Sequence, residues 1–194
     1  MPLAERAYLT YPTDIGIIYR ARMQTEKIVD ILYESIKSLC KEKPRTYPNK
    51  ARKDYLAIAK QRRPPQSKKR TAIKKQLQYL KRNLSHIEKL VELGATLDNL
   101  SKQQYNLLLV CHEVYPQQAW MYKHKTNRID DRIVSLTQPH IRPLVRGKTG
   151  KATEFGAKQS ASSFDSYVFF YIELAGITSM NQETYSTFQV YEVQ

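Results

Sequence analysis

The sequence is poor in several features that would each indicate a particular class of protein. Two cysteines, Cys40 and Cys111, are too few for a disulfide framework and fit a reducing compartment. No run of 18 apolar residues is present, so no membrane-spanning helix is expected, and no apolar signal region opens the chain. Hydrophobic residues still make up 41% of the 194 residues, which predicts one folded domain, or one domain with an appendage, in the cytoplasm.

Acidic residues are scarce in one segment, and this scarcity sets the charge of the chain. The whole sequence carries +14, with 32 basic and 18 acidic residues. Residues 41–82, called the basic block below, hold 16 of the basic residues but only two acids, Glu42 and Asp54. Such a density indicates a polyanionic partner and favours nucleic acid over a solvated helical face. A membrane surface is less favoured, because the apolar face of this segment is needed for packing.

The first part of the chain has the periodicity of α-helices. A helix is predicted over Asp14–Leu39, although Gly16 weakens its first turn. A short basic helix is predicted over Ala51–Lys60. The apolar residues of the first helix recur at three- and four-residue spacing: Ile18, Ala21, Ile28, Leu32 and Leu39.

The strongest periodic signal lies between Ser67 and Leu93. Its apolar residues step alternately by four and three, which predicts a long helix with a narrow packing seam and a basic opposite face. Gly94 is expected to end this helix. The seam consists of Ile73, Leu77, Leu80, Leu84, Ile87 and Val91.

A further helix is predicted to begin at a capping box formed by Ser101 and Gln104. Pro116 is expected to kink this helix or to end it early. We expect the helices to pack as an antiparallel hairpin, with the first helix as a third member. The buried stripe of the last helix comprises Leu107, Cys111, Val114, Gln118 and Met121.

The pattern changes after Thr126. Arg132–Leu136, Glu154–Ser163 and Tyr167–Leu174 are predicted to be strands, with an exposed basic turn at residues 146–151. The predicted fold class is therefore α+β. A basic helical hairpin or bundle at residues 1–126 would be followed by a small antiparallel β segment at residues 127–194.

Catalytic motifs fail on their spacing. Gly147-Lys148-Thr149 would need a further glycine where Arg142 stands, so it is not a phosphate-binding loop. His112-Glu113 would need a second histidine where Pro116 stands, so it is not a zinc-protease helix. The histidines lack metal-ligand spacing, and no metal site is predicted. Cys111, on an apolar stripe, is expected to be a buried structural thiol.

No catalytic residue is predicted, and Asp130 and Asp131 are the acid pair to be weighed for catalysis. Adjacent acids can hold a divalent metal for phosphoryl transfer, here together with Asp165. The alternative is a capping or salt-bridging pair beside Arg128 and Arg132, and this alternative is favoured because such pairs are common.

Five blocks of sequence resemble one known family in the same order along the chain. They read YPTD at 11–14, KPRTY at 43–47, ARKDYL at 51–56, KQLQYLKRNL at 75–84 and RIDDRIVSLTQPHIRPLVRGKTGK at 128–151, the last followed by EFGAK at 154–158. These blocks are similar to bacterial insertion-sequence transposases of the DDE type, in the group related to the IS-five and IS-four families.

The resemblance implies a ribonuclease-H-like catalytic domain that is interrupted by a basic helical insertion. Three carboxylates of such enzymes bind two Mg²⁺ or Mn²⁺ ions and act on DNA at the ends of the element. Here the first of these acids would fall at or before Met1, and the other two would follow the similar region. The resemblance therefore implies an internal fragment with no complete active site, and no cofactor is expected for this chain.

The function predicted from the sequence is DNA binding without strong sequence specificity, by a catalytically inactive transposase-like protein at the bacterial nucleoid. The alternative is a stand-alone basic helical nucleic-acid-binding protein, or a regulator that pairs with full-length transposase through the seam. DNA and a homo-oligomer or full-length transposase are the expected partners, without a membrane. The predicted DNA-binding residues are Lys68, Lys69, Arg70, Lys74, Lys75, Lys81, Arg82, His140, Arg142, Arg146, Lys148 and Lys151.

Overall fold

The computed structural model describes residues 13–40, 42–144, 154–156, 158–164, 167–173 and 189–192, with side chains as far as residue 141. The chain divides into two compact units, Met1–Leu108 and Leu109–Gln194, and the division falls within the fourth helix. The α-helices are α1 (Asp14–Ser35), α2 (Pro48–Ala59), α3 (Gln66–Glu92) and α4 (Lys102–His124), and a 3-10 turn spans Leu97–Asn99.

Helix α1 begins where predicted but ends early. The side chain of Thr13 caps it by accepting a hydrogen bond from the Gly16 N–H at 3.2 Å. A β-carbon on residue 16 would lie 2.8 Å from the Thr13 hydroxyl oxygen, so glycine makes room for the cap. The helix ends at Ser35, and Leu39 is 64% exposed. The prediction that Leu39 continues the buried stripe is therefore wrong.

Helix α3 confirms the predicted long helix and its end. Gly94 has φ +107°, a conformation that glycine adopts without strain. The N–H of Gly94 donates to the Val91 carbonyl and the N–H of Ala95 donates to the Leu90 carbonyl, both at 2.9 Å. This is the Schellman arrangement, which satisfies carbonyls that the end of a helix would otherwise leave unpaired.

Helices α1 and α2 both pack against α3 in the first unit. Four seam residues of α3 are buried, Ile73 is half-buried and Val91 is 38% exposed. The buried face is also wider than the seam, because it includes two amide side chains, Gln76 and Asn83. The buried seam residues are Leu77, Leu80, Leu84 and Ile87.

Helix α4 has the predicted capping box. Ser101 N–H donates to Gln104 Oε1 at 2.9 Å, and Gln104 N–H donates to Ser101 Oγ at 3.3 Å. All five residues of the predicted stripe are buried. The helix continues past Pro116 to His124, so the expectation of an early end is wrong. Because Pro116 has no N–H, the carbonyl of His112 loses its helical hydrogen bond. Both residues are exposed, so water can replace this hydrogen bond.

The segment Arg132–Leu136 is not a strand, contrary to the prediction. Ile133 and Val134 are buried, which explains the strand-like pattern of the sequence. The Ile133 N–H, however, donates at 3.0 Å to the side-chain oxygen of Gln117 on α4. The side chain of Gln117 thus accepts the backbone hydrogen bond that a neighbouring strand would otherwise accept.

The α+β fold class predicted from the sequence is wrong. Within residues 13–40 and 42–141 the structure is 68% helix, with four α-helices, no strand and no sheet. Beyond them, the backbone alone traces short antiparallel pairings of β1 with β2 and of β3 with β4 and β5. These strands are Arg142–Leu144, Glu154–Gly156, Lys158–Phe164, Tyr167–Glu173 and Gln189–Glu192. Among the residues with described side chains, the buried core is formed mainly by the helices and by the segment that follows α4.

Among the residues with described positions, no helix combines the length and the apolarity needed to cross a membrane.

Candidate nucleic-acid interface

A second stripe runs along α3 beside the apolar seam. Lys75, Tyr79, Arg82 and His86 are spaced by four, three and four residues, so they lie on one face of the helix. All four line a cleft of about 690 Å³ in the first unit, called the basic cleft below. The cleft is therefore built on the same helix that supplies the core.

The opposite wall comes from α2 and from the residues just before it. Arg45 and Tyr47 precede α2, and Lys50 and Asp54 stand one turn apart on it. With Lys75 and Arg82 the cleft has four cations against one carboxylate. The remaining lining residue is Gln78.

The single acid in the cleft lining is already hydrogen-bonded to two neighbouring side chains. Asp54 accepts hydrogen bonds from Lys75 Nζ at 2.9 Å and from the Tyr79 hydroxyl at 3.0 Å. Burial alone would raise the pKa of Asp54, but the two hydrogen bonds together with the positive charges of Lys75 and Lys50 hold the pKa below its ordinary value. The pKa of Tyr79 is raised, by burial and by the bond to Asp54. The cleft lining therefore contains no second carboxylate that could pair with Arg45, Lys50 or Arg82.

Tyr47 has an unusual backbone at the mouth of the cleft. Its φ is +56°, in the left-handed region that a bulky residue rarely adopts. Pro48 follows as the first helical residue of α2, where its fixed φ suits the helix. The Arg82 guanidinium lies 5.1 Å from the centre of the Tyr47 ring and 5.7 Å from that of Tyr79. These cation–π contacts hold Arg82 at the cleft.

His86 closes the cleft at its far end along α3. Its Nε2 atom is buried and has no hydrogen-bond partner. Burial lowers the pKa of His86, and the positive charges of Lys89 and Arg82 lower it further. A hydrogen bond with the Arg45 backbone acts in the opposite direction, but the net pKa is below the ordinary value. The ring is therefore neutral at pH 7, although it lies among cations.

The start of α3 concentrates positive charge where a helix tolerates it least. Lys68 and Lys69 lie exposed in its first turns, and its first turn has no acidic residue. The positive end of the helix dipole disfavours cations there by about 0.3–1 kcal/mol each. An anion at this end is instead favoured by both the dipole and the lysines.

The structure brings part of the predicted DNA-binding set together on α3. Lys74, Lys75 and Lys81 are exposed like Lys68 and Lys69, whereas Arg70 and Arg82 are half-buried. In the second unit His140 is half-buried and Arg142 opens β1. Three predicted residues lie outside the described part of the chain: Arg146, Lys148 and Lys151.

In the part of the chain that the structure describes, the candidate catalytic acids belong to no cluster of metal-binding side chains. Asp130 and Asp131 are both exposed, and the backbone carbonyl of Asp131 accepts a hydrogen bond from Gln117 at 3.4 Å. Among the described residues, no group of three or more His, Cys, Asp or Glu side chains could hold a metal ion. The position of Asp165 lies outside those residues.

Cys111 is a buried residue of α4, as predicted. It is 0% exposed, and burial raises the pKa of its thiol to about 12. At neutral pH it is therefore protonated and a poor nucleophile.

Sequence reasoning missed seven of the nine cleft residues: Arg45, Tyr47, Lys50, Asp54, Gln78, Tyr79 and His86. The stripe of Lys75, Tyr79, Arg82 and His86 was a usable signal, because it repeats the period of the apolar seam. The wall from Arg45 to Asp54 had no such signal, since its position depends on how α2 packs against α3.

Comparisons with protein-family models, with curated proteins and with solved structures give no match for this chain.

Proposed function

We propose that this protein binds DNA through its phosphate groups, with the basic cleft and the exposed lysines of α3 as the contact surface. The observation that carries the proposal is the cleft, where four cations face one carboxylate that is already hydrogen-bonded. Converging positive charge of this kind suits a ligand that carries a regular series of negative charges.

One consideration favours DNA over other polyanions. The residues before and along α2 and α3 carry three of the blocks that resemble DDE transposases, and those enzymes act on DNA. Lysine and arginine contacts to phosphates fix the register of a protein without reading the bases. The proposed binding is therefore weakly specific for sequence, and it would place the protein at the bacterial nucleoid. No catalytic step is part of the proposal.

The regulator alternative relied on the apolar seam of α3 to pair with full-length transposase, and it stays a prediction. Leu77, Leu80, Leu84 and Ile87 of that seam are buried within this chain, which leaves them unavailable to a second protein.

The proposal is tested by fluorescence anisotropy with a short labelled DNA duplex over a series of salt concentrations. With 6–10 phosphate contacts, we expect the affinity to fall by about 10³–10⁵-fold between 50 and 200 mM salt. Binding that does not depend on salt, or no binding at the lowest salt, would contradict the proposal.

A double variant tests whether the basic cleft is the contact surface. Arg45→Ala with Lys50→Ala should reduce the slope of log affinity against log salt by about 2, because two phosphate contacts are lost. The matched control is Lys27→Ala with Lys102→Ala, which removes two exposed cations outside the basic block. Equal losses in the two double variants would show that only the net charge matters, and would rule out the cleft.

A further inference from the structure

We propose that a DNA phosphate bound in the basic cleft contacts Nε2 of His86, and that this ring takes up a proton from solvent as the phosphate binds. The inference rests on the proposed function and adds to it a residue outside the predicted DNA-binding set. It also makes the DNA affinity depend on pH.

The geometry leaves one hydrogen-bonding position of the cleft unfilled. His86 lines the cleft, and its Nε2 is buried without a partner. The backbone of Arg45 also forms a hydrogen bond with the ring. Leaving a buried polar atom unpaired costs about 1–3 kcal/mol, so a ligand that supplies the partner gains that energy. A phosphate oxygen is an acceptor and can pair with Nε2 only when that nitrogen carries a proton.

The charges around His86 explain why the proton arrives with the ligand. On α3, Lys89 and Arg82 oppose a positive charge on the ring. Across the cleft, α2 contributes one cation and one carboxylate, and that carboxylate is held by Lys75 and Tyr79. A phosphate in the cleft would place a negative charge beside the ring, oppose the effect of these cations and favour the charged form of the ring. The charged and titratable groups that line the cleft with His86 are Arg45, Tyr47, Lys50, Asp54, Lys75, Tyr79 and Arg82.

The proton balance is simple. The neutral ring gains one proton from solvent, the phosphodiester keeps its single negative charge, and no covalent bond forms or breaks. By linkage, the affinity must rise as the pH falls through the pKa values of the free and the bound His86. A rise of one pKa unit on binding corresponds to about tenfold in affinity.

The first test measures DNA affinity at constant salt between about pH 8 and pH 5, the range in which histidine titrates. We expect the wild-type affinity to rise about tenfold more over this range than that of His86→Gln. His112→Gln is the control, because His112 is exposed and lies outside the basic cleft. It should keep the wild-type ratio of affinities.

The outcomes separate the two proposals. If the wild-type protein shows no salt-dependent DNA binding at any pH in this range, the proposed function fails and this inference fails with it. If wild type binds DNA but His86→Gln has the same pH dependence, only the inference is overturned.

A second measurement does not depend on the folding of a variant. Proton–carbon NMR of the histidine rings of the wild-type chain gives the pKa of His86 with and without the duplex. We expect the pKa of His86 to rise by one unit or more on DNA binding, well beyond the rise at His112. Equal shifts at the two histidines would reflect the general field of the DNA and would overturn the inference.

Discussion

Helix α3 meets α1 on one side and α2 on another, and the two contacts are built differently. Against α1 it places Asn83, which is fully buried and hydrogen-bonded to Arg22 and Thr25 of that helix. Against α2 very little is buried, since Ala51 is the only buried residue of that helix. The α2 contact instead relies on hydrogen bonds, including the one that Gln76 Nε2 donates to the Ala51 carbonyl at 2.9 Å. Stability is thus concentrated on the α1 side, and the charge available to a ligand lies on the α2 side.

The α1 side also contains an unusual buried charge. Arg22 is 1% exposed, forms an ion pair with Glu26 and stacks on the Tyr19 ring at 4.8 Å. Burial raises the pKa of Glu26, and the charge of Arg22 counteracts this effect. Pairing offsets the cost of burying both charges, so removing one partner is more damaging than replacing both.

The largest expected effect breaks this pair. Arg22→Met should lower the free energy of unfolding by about 3 kcal/mol, because it leaves the Glu26 carboxylate without its partner. Adding Glu26→Leu should restore most of the loss, since two apolar side chains replace the buried pair. Urea denaturation of the two variants and wild type measures both effects. A double variant no more stable than Arg22→Met would show that the pair is not the cause.

Next in size is the amide that joins α3 to α1. Asn83 Nδ2 donates to the Arg22 carbonyl at 3.3 Å and to the Thr25 hydroxyl at 3.2 Å. Asn83→Ala should cost about 2 kcal/mol, from the lost hydrogen bonds and the cavity left behind. Its control is Gln78→Ala, an exposed amide on the same helix, which should change the stability by less than about 0.5 kcal/mol. Similar losses in the two variants, by thermal or urea unfolding, would contradict this account.

The smallest expected effect is on the α2 side. Asp54→Asn should cost about 1 kcal/mol at neutral pH, because it removes the charge that binds Lys75 and Tyr79. The pKa of Asp54 is lowered in the folded protein, so its contribution is present above the unfolded-state pKa and disappears as the pH falls through the folded-state pKa.

The pH dependence is the diagnostic measurement for Asp54. Urea denaturation of wild type and Asp54→Asn should differ at neutral pH and converge at acidic pH. A difference that stays constant down to the lowest pH would mean that hydrogen-bond geometry, rather than the carboxylate charge, accounts for the loss.

The helices were predictable because their signals are local. The apolar period of α3, the Gly94 cap and the Ser101–Gln104 capping box each depend on residues within a few positions of one another. The basic block was equally visible, since charge can be counted. These features predicted the main elements of the first unit and two residues of the cleft wall on α3, Lys75 and Arg82.

The errors arose where distant residues decide the outcome. Residues 132–136 have the composition of a strand, but a glutamine of α4 satisfies the backbone at Ile133. Arg22 gave no apolar signal, although it is more deeply buried than many core residues. The second wall of the cleft depends on the docking of α2, which no periodic pattern specifies.

Gly16 is a position where a substitution designed to raise the stability of this protein would fail. Helix propensity alone recommends alanine there, with a gain of about 1 kcal/mol. The new methyl group, however, would displace the Thr13 hydroxyl, and losing an N-cap costs about the same. The apparent flaw at the start of α1 is therefore a balanced exchange, and correcting it brings no net benefit.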